Sequence, residues 1–284
     1  RLDLNTPIVG GEVRDDFRIK KSMATLNFLR DNGAKTIILS HIESVETKSL
    51  EIVYKYLSKF FKIEFAKDYF GEGTQKSIDE IGEGDFILFE NIRIYDGEEK
   101  NSEHFARQLA SFGEIYVNEA FSVSHRKHAS IVGIPKFLPS YAGILFEEEV
   151  LNLSKVFSPE HPFIFILGGA KFETKMPLIE KFLNLADFVF VGGALANDIF
   201  KERGYETGLS AVSPKEFDLR KITASNKLLL PVDVVVKNDQ GVFIKRPNQV
   251  LEGDNILAAG PATISMRSEK MLSSKFVLWN GPLG

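Results

Sequence analysis

Short, continuously apolar runs alternate with amphipathic segments along the chain, and this alternation most limits what it can fold into. The runs are apolar at consecutive positions, as expected for strands that are buried on both faces. The strand candidates are residues 36–41, 85–92, 114–121, 162–169, 187–193, 227–236 and 275–280. Strands that alternate with helices predict parallel sheets covered by helices.

Helix candidates lie between the apolar runs. They cover residues 17–33, 49–61, 102–113 and 175–186. The first has Ile19, Met23 and Leu26 near helical spacing and ends in Asn-Gly, a typical C-terminal signal. In the last, Pro177 falls near the helix start, where proline is tolerated.

A charged segment over residues 146–162 ends in Ser-Pro-Glu-His-Pro and precedes a new buried strand. We therefore expect an α/β protein with two doubly wound, Rossmann-like parallel-sheet domains joined by a helix. The predicted parts are a first domain over 1–146, a connecting helix over 147–158 and a second domain over 159–284. The chain starts without Met, in a segment that reads as a further strand, and stops just after the last strand candidate, so we expect a fragment with an incomplete second domain.

Composition excludes several classes of protein. Lys and Arg number 35 against 39 Asp and Glu, giving a net charge of -4, which predicts no general attraction to nucleic acid or membranes. The chain has no cysteine, so disulfides and thiolate metal sites are excluded. No apolar run approaches the ~20 residues of a membrane span, and no signal-peptide pattern is seen. We expect a cytoplasmic protein.

The residues that follow the strand candidates differ between the two halves of the chain. In open α/β sheets, ligands bind beyond the carboxyl ends of strands. The first half places charged and polar side chains there, namely Asp3, Asn5, His41, Asn91, Arg93, His125, Arg126, Lys127 and His128. Such side chains suit a small phosphate or carboxylate ligand.

The second half places glycine-rich turns at its strand ends, over residues 168–171, 192–197, 258–263 and 279–284, with Lys171 and Lys175 at a helix start. Backbone N–H groups beside a helix N-terminus suit a larger, flat ligand with phosphates. An anion site and a nucleotide site in one chain predict a phosphotransferase that works by positioning and charge neutralisation. No GxxxxGK[ST], GxGxxG, HRD or DFG motif is present.

The heptapeptide SHRKHAS, residues 124–130, could hold a metal, lie solvated at the surface or bind an anion. Zinc is disfavoured because no third ligand is nearby and the adjacent Arg126 and Lys127 would repel a cation. Its place after a buried strand, in the half rich in Arg and His, favours the anion. Arg126 is the expected direct ligand, while His125 and His128 shape the loop.

An ordered set of motifs carries a resemblance to a known family. RLDLNTPI, DDFRI, ENIRIYDGEEKN, YVNEAFSVSHRKHASIVG, AGILFEEEV, PFIFILGGAKFETK, VGGALAN, LPVDVVV and WNGPLG occur in that order. Together they closely resemble phosphoglycerate kinase over essentially the whole chain.

The resemblance implies a monomeric, cytoplasmic glycolytic kinase. Its first domain would bind 3-phosphoglycerate, its second would bind MgATP or MgADP, and hinge closure would join them. The reaction would be reversible phosphoryl transfer between ADP and 1,3-bisphosphoglycerate.

The resemblance also implies roles for individual residues. Asp3 and Asn5 would contact the glycerate, Arg18 would be the main transition-state arginine, and His41, Arg93 and Arg126 would complete the basic patch. Lys171 and Lys175 would face the nucleotide phosphates, with Lys175 the stronger match and, beside Arg18, the second catalytic residue. The nucleotide pocket would be shaped by Gly168, Gly169, Gly192, Gly193 and Asn280.

The chain departs from the family pattern in the loop after the first strand candidate. The family usually reads SHLGRP there, whereas this chain reads SHIESV, which puts Glu43 in place of glycine and Ser44 in place of arginine. We therefore expect weaker binding of the glycerate phosphate, with Lys48 a candidate substitute. Smaller departures are Glu119 and Ala258, each at a position where Asp is usual.

The family also continues beyond WNGP into a ribose-contacting Glu and a GGGD(S/T) turn that positions the metal. No protein ligand for Mg²⁺ can therefore be named in these 284 residues, and we expect them to be inactive alone. The alternative hypothesis is a non-catalytic remnant that keeps only the glycerate-phosphate site.

Overall fold

The computed structural model describes residues 1–215 and 217–283. It contains two compact units, Arg1–Ser154 and Lys155–Gly284, each with its own sheets and core. The sequence-based domain limits at 146 and 158 remain predictions.

The first unit contains seven strands in its described part. They are β1 (Ile8–Val9), β2 (Glu12–Val13), β3 (Thr36–Ile38), β4 (Ile63–Ala66), β5 (Phe86–Phe89), β6 (Tyr116–Asn118) and β7 (Ser140–Ala142). Strands β3, β5 and β4 form a parallel sheet in that order, and β6 pairs in parallel with β7. Strands β1 and β2 form a small antiparallel hairpin.

Helices of the first unit follow its strands. They are α1 (Phe17–Asp31), α2 (Glu51–Leu57), α3 (Glu72–Glu80), α4 (Asp96–Glu99), α5 (Glu103–Ala110) and α6 (Ile144–Ser154). Helix α1 ends at the predicted Asn-Gly signal, where Gly33 has a φ of 72°, a left-handed conformation that glycine adopts without steric cost.

Strand β5 shows why its run is continuously apolar. All four of its residues are buried. Phe86 and Leu88 belong to a core cluster that includes Leu26 of α1 and residues of α2, whereas Ile87 and Phe89 pack in a second cluster with α5. Helices therefore cover both faces of this sheet, as the sequence predicts.

The second unit repeats this arrangement. Its strands are β8 (Phe163–Leu167), β9 (Phe188–Val191), β10 (Leu228–Leu229), β11 (Val234–Asn238), β12 (Gly241–Lys245), β13 (Asn255–Ala259) and β14 (Phe276–Asn280). Its helices are α7 (Phe172–Leu185), α8 (Ala194–Glu202), α9 (Arg220–Thr223) and α10 (Pro261–Ser273). The parallel sheet has the order β10-β9-β8-β14. Alternate residues of β8 enter two core clusters, one with α7 and α8 and one with α10.

A second, antiparallel sheet has the order β12-β11-β13. The strand candidate at 227–236 spans two separate elements, β10 and β11, with Pro231 between them, a residue that has no backbone N–H to donate to a sheet. The observed fold is α/β with parallel sheets in both units, which confirms the predicted class. The antiparallel sheet was not predicted.

Candidate functional site

The buried Asn91 joins two loops that leave the carboxyl ends of β3 and β5. Its Oδ1 accepts hydrogen bonds from the backbone N–H groups of Ile42 and Arg93, at 3.3 and 3.2 Å. Its Nδ2 donates to the carbonyl oxygens of Ile42 and Lys48, at 2.9 and 2.8 Å. Asn91 therefore fixes the backbone that carries His41 and Arg93.

His41 lies at the centre of a group of cations. It is 2% exposed, and its Nδ1 lies 3.2 Å from Nη2 of Arg1. Burial, together with the nearby positive charges, lowers its pKa to about 2. Those charges belong to Arg1, Arg93, Arg126 and Arg18. The imidazole is therefore neutral, and because Nδ1 accepts from a guanidinium, its proton is on Nε2.

The His41 environment shows which predicted residues the fold brings together. Arg18, Arg93 and Arg126 come from distant parts of the chain, and all three act on the same imidazole. Several guanidinium groups around one neutral histidine suit an anion with more than one charge.

Asp3 orients Arg18 in the first turn of α1. The Asp3 carboxylate pairs with the Arg18 guanidinium, and it accepts hydrogen bonds from the Ser122 hydroxyl and from Asn5 N–H, the latter at 3.1 Å. Asp3 is buried, whereas the Arg18 side chain is 49% exposed. The neighbouring Asn5 Oδ1 accepts from Glu43 N–H at 2.8 Å, so it holds the start of the SHIESV loop.

The SHRKHAS segment divides into an exposed and a buried part. His125, Arg126 and Lys127 are exposed, while His128 is buried with its Nδ1 3.7 Å from the buried Glu98. Burial lowers the pKa of His128, although Glu98 opposes this shift. Among residues 1–215 and 217–283, no three His, Asp or Glu side chains are grouped to hold a metal ion.

Arg1 belongs to the cluster around His41, and the sequence reasoning missed it. It is 6% exposed, its Nε donates to Ser130 Oγ at 2.9 Å, and its Nη2 faces His41. No local sequence signal marks it, because its burial depends on segments around positions 41 and 130 that only the fold brings together.

In the second unit, glycines follow β8 and β9 as predicted. Gly168 N–H donates to the Asn280 carbonyl at 2.8 Å, and a Cβ atom added at Gly168 would lie 1.9 Å from the Pro282 carbonyl oxygen. Gly193 has a φ of 62° where α8 begins. Gly168 is therefore required because the Pro282 backbone approaches it closely, and Gly193 is required because its backbone conformation is left-handed.

Lys175 and Asn280 are brought together, with Lys175 Nζ donating to Asn280 Oδ1 at 2.7 Å. Lys171 is exposed at the N-cap of α7. Both lysines lie at the start of the helix that follows β8, as the sequence predicts, and a helix N-terminus favours negative charge.

An apolar cavity of about 440 Å³ lies beside these turns within the second unit. It is lined by Gly169 and Gly193, by Asn197 and Phe200 of α8, and by β13, together with several further residues. The remaining nucleotide-site predictions, Gly168, Gly192, Lys171, Lys175 and Asn280, are not part of this lining. Ala258 and Ala259 of β13 fall in the predicted turn over 258–263, whereas the earlier residues of β13 were missed because that strand was not predicted.

Comparison with known proteins adds an independent line of evidence. The family model for phosphoglycerate kinase matches residues 1–284. The phosphoglycerate kinase of Wolbachia sp. subsp. Drosophila simulans is 40% identical over 300 residues, and that of Dictyoglomus turgidum is 38% identical over 301. Both alignments cover 100% of this chain and 75% and 76% of the relatives.

The chain belongs to the phosphoglycerate kinase family. Two solved phosphoglycerate kinases share its fold over 100% of the chain, each with a TM-score of 0.83. That of Coxiella burnetii is 30% identical and that of Pyrococcus horikoshii 26%, and the matches cover 76% and 77% of those chains. The chain thus spans about three quarters of the phosphoglycerate kinases it matches. These matches favour a kinase over a non-catalytic remnant.

Two features of the described residues bear on magnesium and membranes. The cavity lining includes no carboxylate, so the described part of this pocket does not itself supply a Mg²⁺ site. No helix in the described ranges is long and apolar enough to cross a membrane.

Proposed function

We propose that this chain provides the sites for reversible phosphoryl transfer between ATP and 3-phosphoglycerate. The observation that carries the proposal is the gathering of Arg1, Arg18, Arg93 and Arg126 around the neutral His41. A small ligand that has both a phosphate and a carboxylate matches several neighbouring guanidinium groups.

The glycerate would lie at the strand ends of the first unit. Arg93 and Arg126 would bind its phosphate, His41 would donate a hydrogen bond from Nε2, and Asp3 and Asn5 would contact the glycerate. Arg18, which Asp3 orients, would lie near the carboxylate and the transferring phosphoryl group. The missing arginine at Ser44 predicts weaker phosphate binding, and Lys48, which is exposed, is the proposed substitute.

In the transfer, a carboxylate oxygen of 3-phosphoglycerate attacks the γ-phosphorus of ATP. The new O–P bond forms as the bond to the leaving ADP oxygen breaks, and the product is 1,3-bisphosphoglycerate. No covalent enzyme intermediate and no general base are needed, because the attacking group is already ionised. Arg18 and Lys175 would neutralise the charge on the equatorial oxygens.

The nucleotide would lie on the glycine-rich side of the second unit. The cavity beside Gly169 and Gly193 suits a flat base, and the start of α7, with Lys171 and Lys175, suits phosphates. Gly168, Gly192 and Asn280 would shape the adjoining turns. Mg²⁺ would accompany the nucleotide as its phosphate counterion. A cytoplasmic monomer remains our expectation.

Arg126→Ala tests the anion site, with Lys127→Ala as a matched control. Both residues are exposed in one loop, and both variants remove one positive charge. Loss of a direct charged contact should weaken 3-phosphoglycerate binding about tenfold or more in Arg126→Ala, whereas Lys127→Ala should change it by about twofold at most. Titration calorimetry measures both.

Equal effects of the two variants would contradict the assignment of Arg126, and wild-type protein that binds no 3-phosphoglycerate would contradict the proposed function.

The expected inactivity of the 284 residues alone is a separate prediction. A coupled assay with ATP and 3-phosphoglycerate checks it, and near-normal turnover would contradict it.

A further inference from the structure

Arg93 is a buried cation with unused hydrogen-bonding capacity. Its side chain is 7% exposed, and its Nε and Nη2 have no hydrogen-bond partner. The Glu99 carboxylate lies 3.5 Å from Nε, outside good hydrogen-bond geometry. A guanidinium has five N–H donors, and leaving them unmade in a buried position is costly, so this group is prepared for an anion.

The carboxylate of Glu43 already occupies part of that group, because it forms an ion pair with Nη1 of Arg93. The Glu43 side chain is 59% exposed, whereas its backbone N–H is held by Asn5 Oδ1 at 2.8 Å. The backbone is therefore fixed, while the side chain has open solvent into which it can move. An ion pair with one exposed partner is weak enough to be exchanged for a better anion.

The neighbouring Ser44 does not replace the positive charge of Arg93 that Glu43 neutralises. Its hydroxyl accepts a hydrogen bond from Glu46 N–H at 3.2 Å, so it serves the turn of the loop. Between positions 43 and 46 the loop thus adds two acidic side chains and no basic one.

We propose that Glu43 is an internal competitor for the anion site: its carboxylate occupies Arg93 until the phosphate of the incoming substrate displaces it. This inference rests on the proposed function for the identity of the substrate. Glu43 sets the affinity for the phosphate end of the ligand and takes no part in phosphoryl transfer. It weakens binding by a route distinct from the absence of an arginine at position 44.

Glu43→Gln tests the competition, because glutamine keeps the shape and removes the charge. The matched control is Glu46→Gln, which makes the same charge change three positions away. The Glu46 carboxylate accepts from Gly10 N–H at Oε1 and from Gly11 N–H at Oε2, so the amide oxygen of glutamine keeps one of these two exposed hydrogen bonds. Titration calorimetry with 3-phosphoglycerate, inorganic phosphate and ADP gives the affinities.

Glu43→Gln should bind both 3-phosphoglycerate and inorganic phosphate about threefold to tenfold more tightly than the wild type, with unchanged ADP affinity. Equal gains in Glu43→Gln and Glu46→Gln would overturn the proposal, because they would show only a general field effect. The proposal would also be overturned if Glu43→Gln gained no affinity, or if the protein bound neither anion. If inorganic phosphate shows the gain but 3-phosphoglycerate binds no better than phosphate, the competition stands and the proposed substrate is wrong.

Discussion

At the scale of single residues, His41 shows how burial and like charge determine a protonation state. Desolvation and the surrounding arginines both oppose a positive imidazole, and together they lower its pKa to about 2. A neutral histidine at physiological pH can donate from Nε2 to an anion without adding a further positive charge to the cluster.

This low pKa predicts a pH dependence of stability. The folded pKa of about 2 lies below the ordinary value of 6.5, so between these values the unfolded chain binds more protons at this position. The free energy of unfolding should therefore fall as the pH is lowered through 6.5. Between pH 7.5 and pH 5 the contribution of His41 is about 2 kcal/mol.

Urea unfolding of the wild type and of His41→Asn at several pH values measures this contribution. Asparagine keeps an acceptor near Arg1 but does not titrate, so the variant should lose less stability on acidification. His128, whose pKa burial also lowers, is present in both proteins and cancels in the difference. Parallel pH profiles for the two proteins would show that His41 is not held neutral.

Most of the residues proposed for the anion site could be predicted singly, because they follow buried strands or belong to family motifs. The contacts between their side chains could not be predicted from the sequence. Nothing in SHIESV shows that Glu43 pairs with Arg93, since 50 positions separate them and the contact depends on the packing of two loops. Arg1 was missed for the same reason.

At the scale of elements, Asp233 fixes the start of α10. Its carboxylate accepts from the N–H groups of Ala262 and Thr263, at 2.9 and 2.7 Å, and from the Thr263 hydroxyl at 2.6 Å. Burial opposes ionisation of Asp233, but these hydrogen bonds prevail and its pKa is lowered. Gly260 is required beside it, because a Cβ there would lie 2.4 Å from Asp233 Cγ.

Asp233→Ala should lower the free energy of unfolding by about 2 kcal/mol, because it removes a helix cap and leaves buried donors unpaired. Asp239→Ala is the control, since that aspartate is exposed. Denaturant unfolding of both variants checks the prediction. A loss for Asp233→Ala no larger than that for Asp239→Ala would show that the cap does not stabilise α10.

The sequence predicts the parallel strands that burial on both faces makes continuously apolar, but it misses β4, which contains the exposed Glu64, and β7, whose three residues are all exposed. It fails for the antiparallel sheet. Strand β12 is largely exposed, with Phe243 at 40% and Ile244 at 59%, so its apolar residues do not report burial. Strand β13 is only partly buried and contains Asn255, so its pattern is weak.

At the scale of the whole molecule, the two units differ in the kind of ligand that their strand ends suit. The first presents guanidinium groups at its strand ends, which suit a small anion. The second presents glycine turns, a lysine-bearing helix start and an apolar cavity, which suit a nucleotide.

Backbone amide NMR spectra recorded with each ligand separately test this difference most directly. We predict that 3-phosphoglycerate shifts the signals of residues 40–44 and 124–130, and that ADP shifts those of residues 168–171 and 192–197. Each ligand alone should leave the other set largely unchanged. Binding of 3-phosphoglycerate at the glycine turns, or of ADP at the arginine cluster, would contradict this difference between the units.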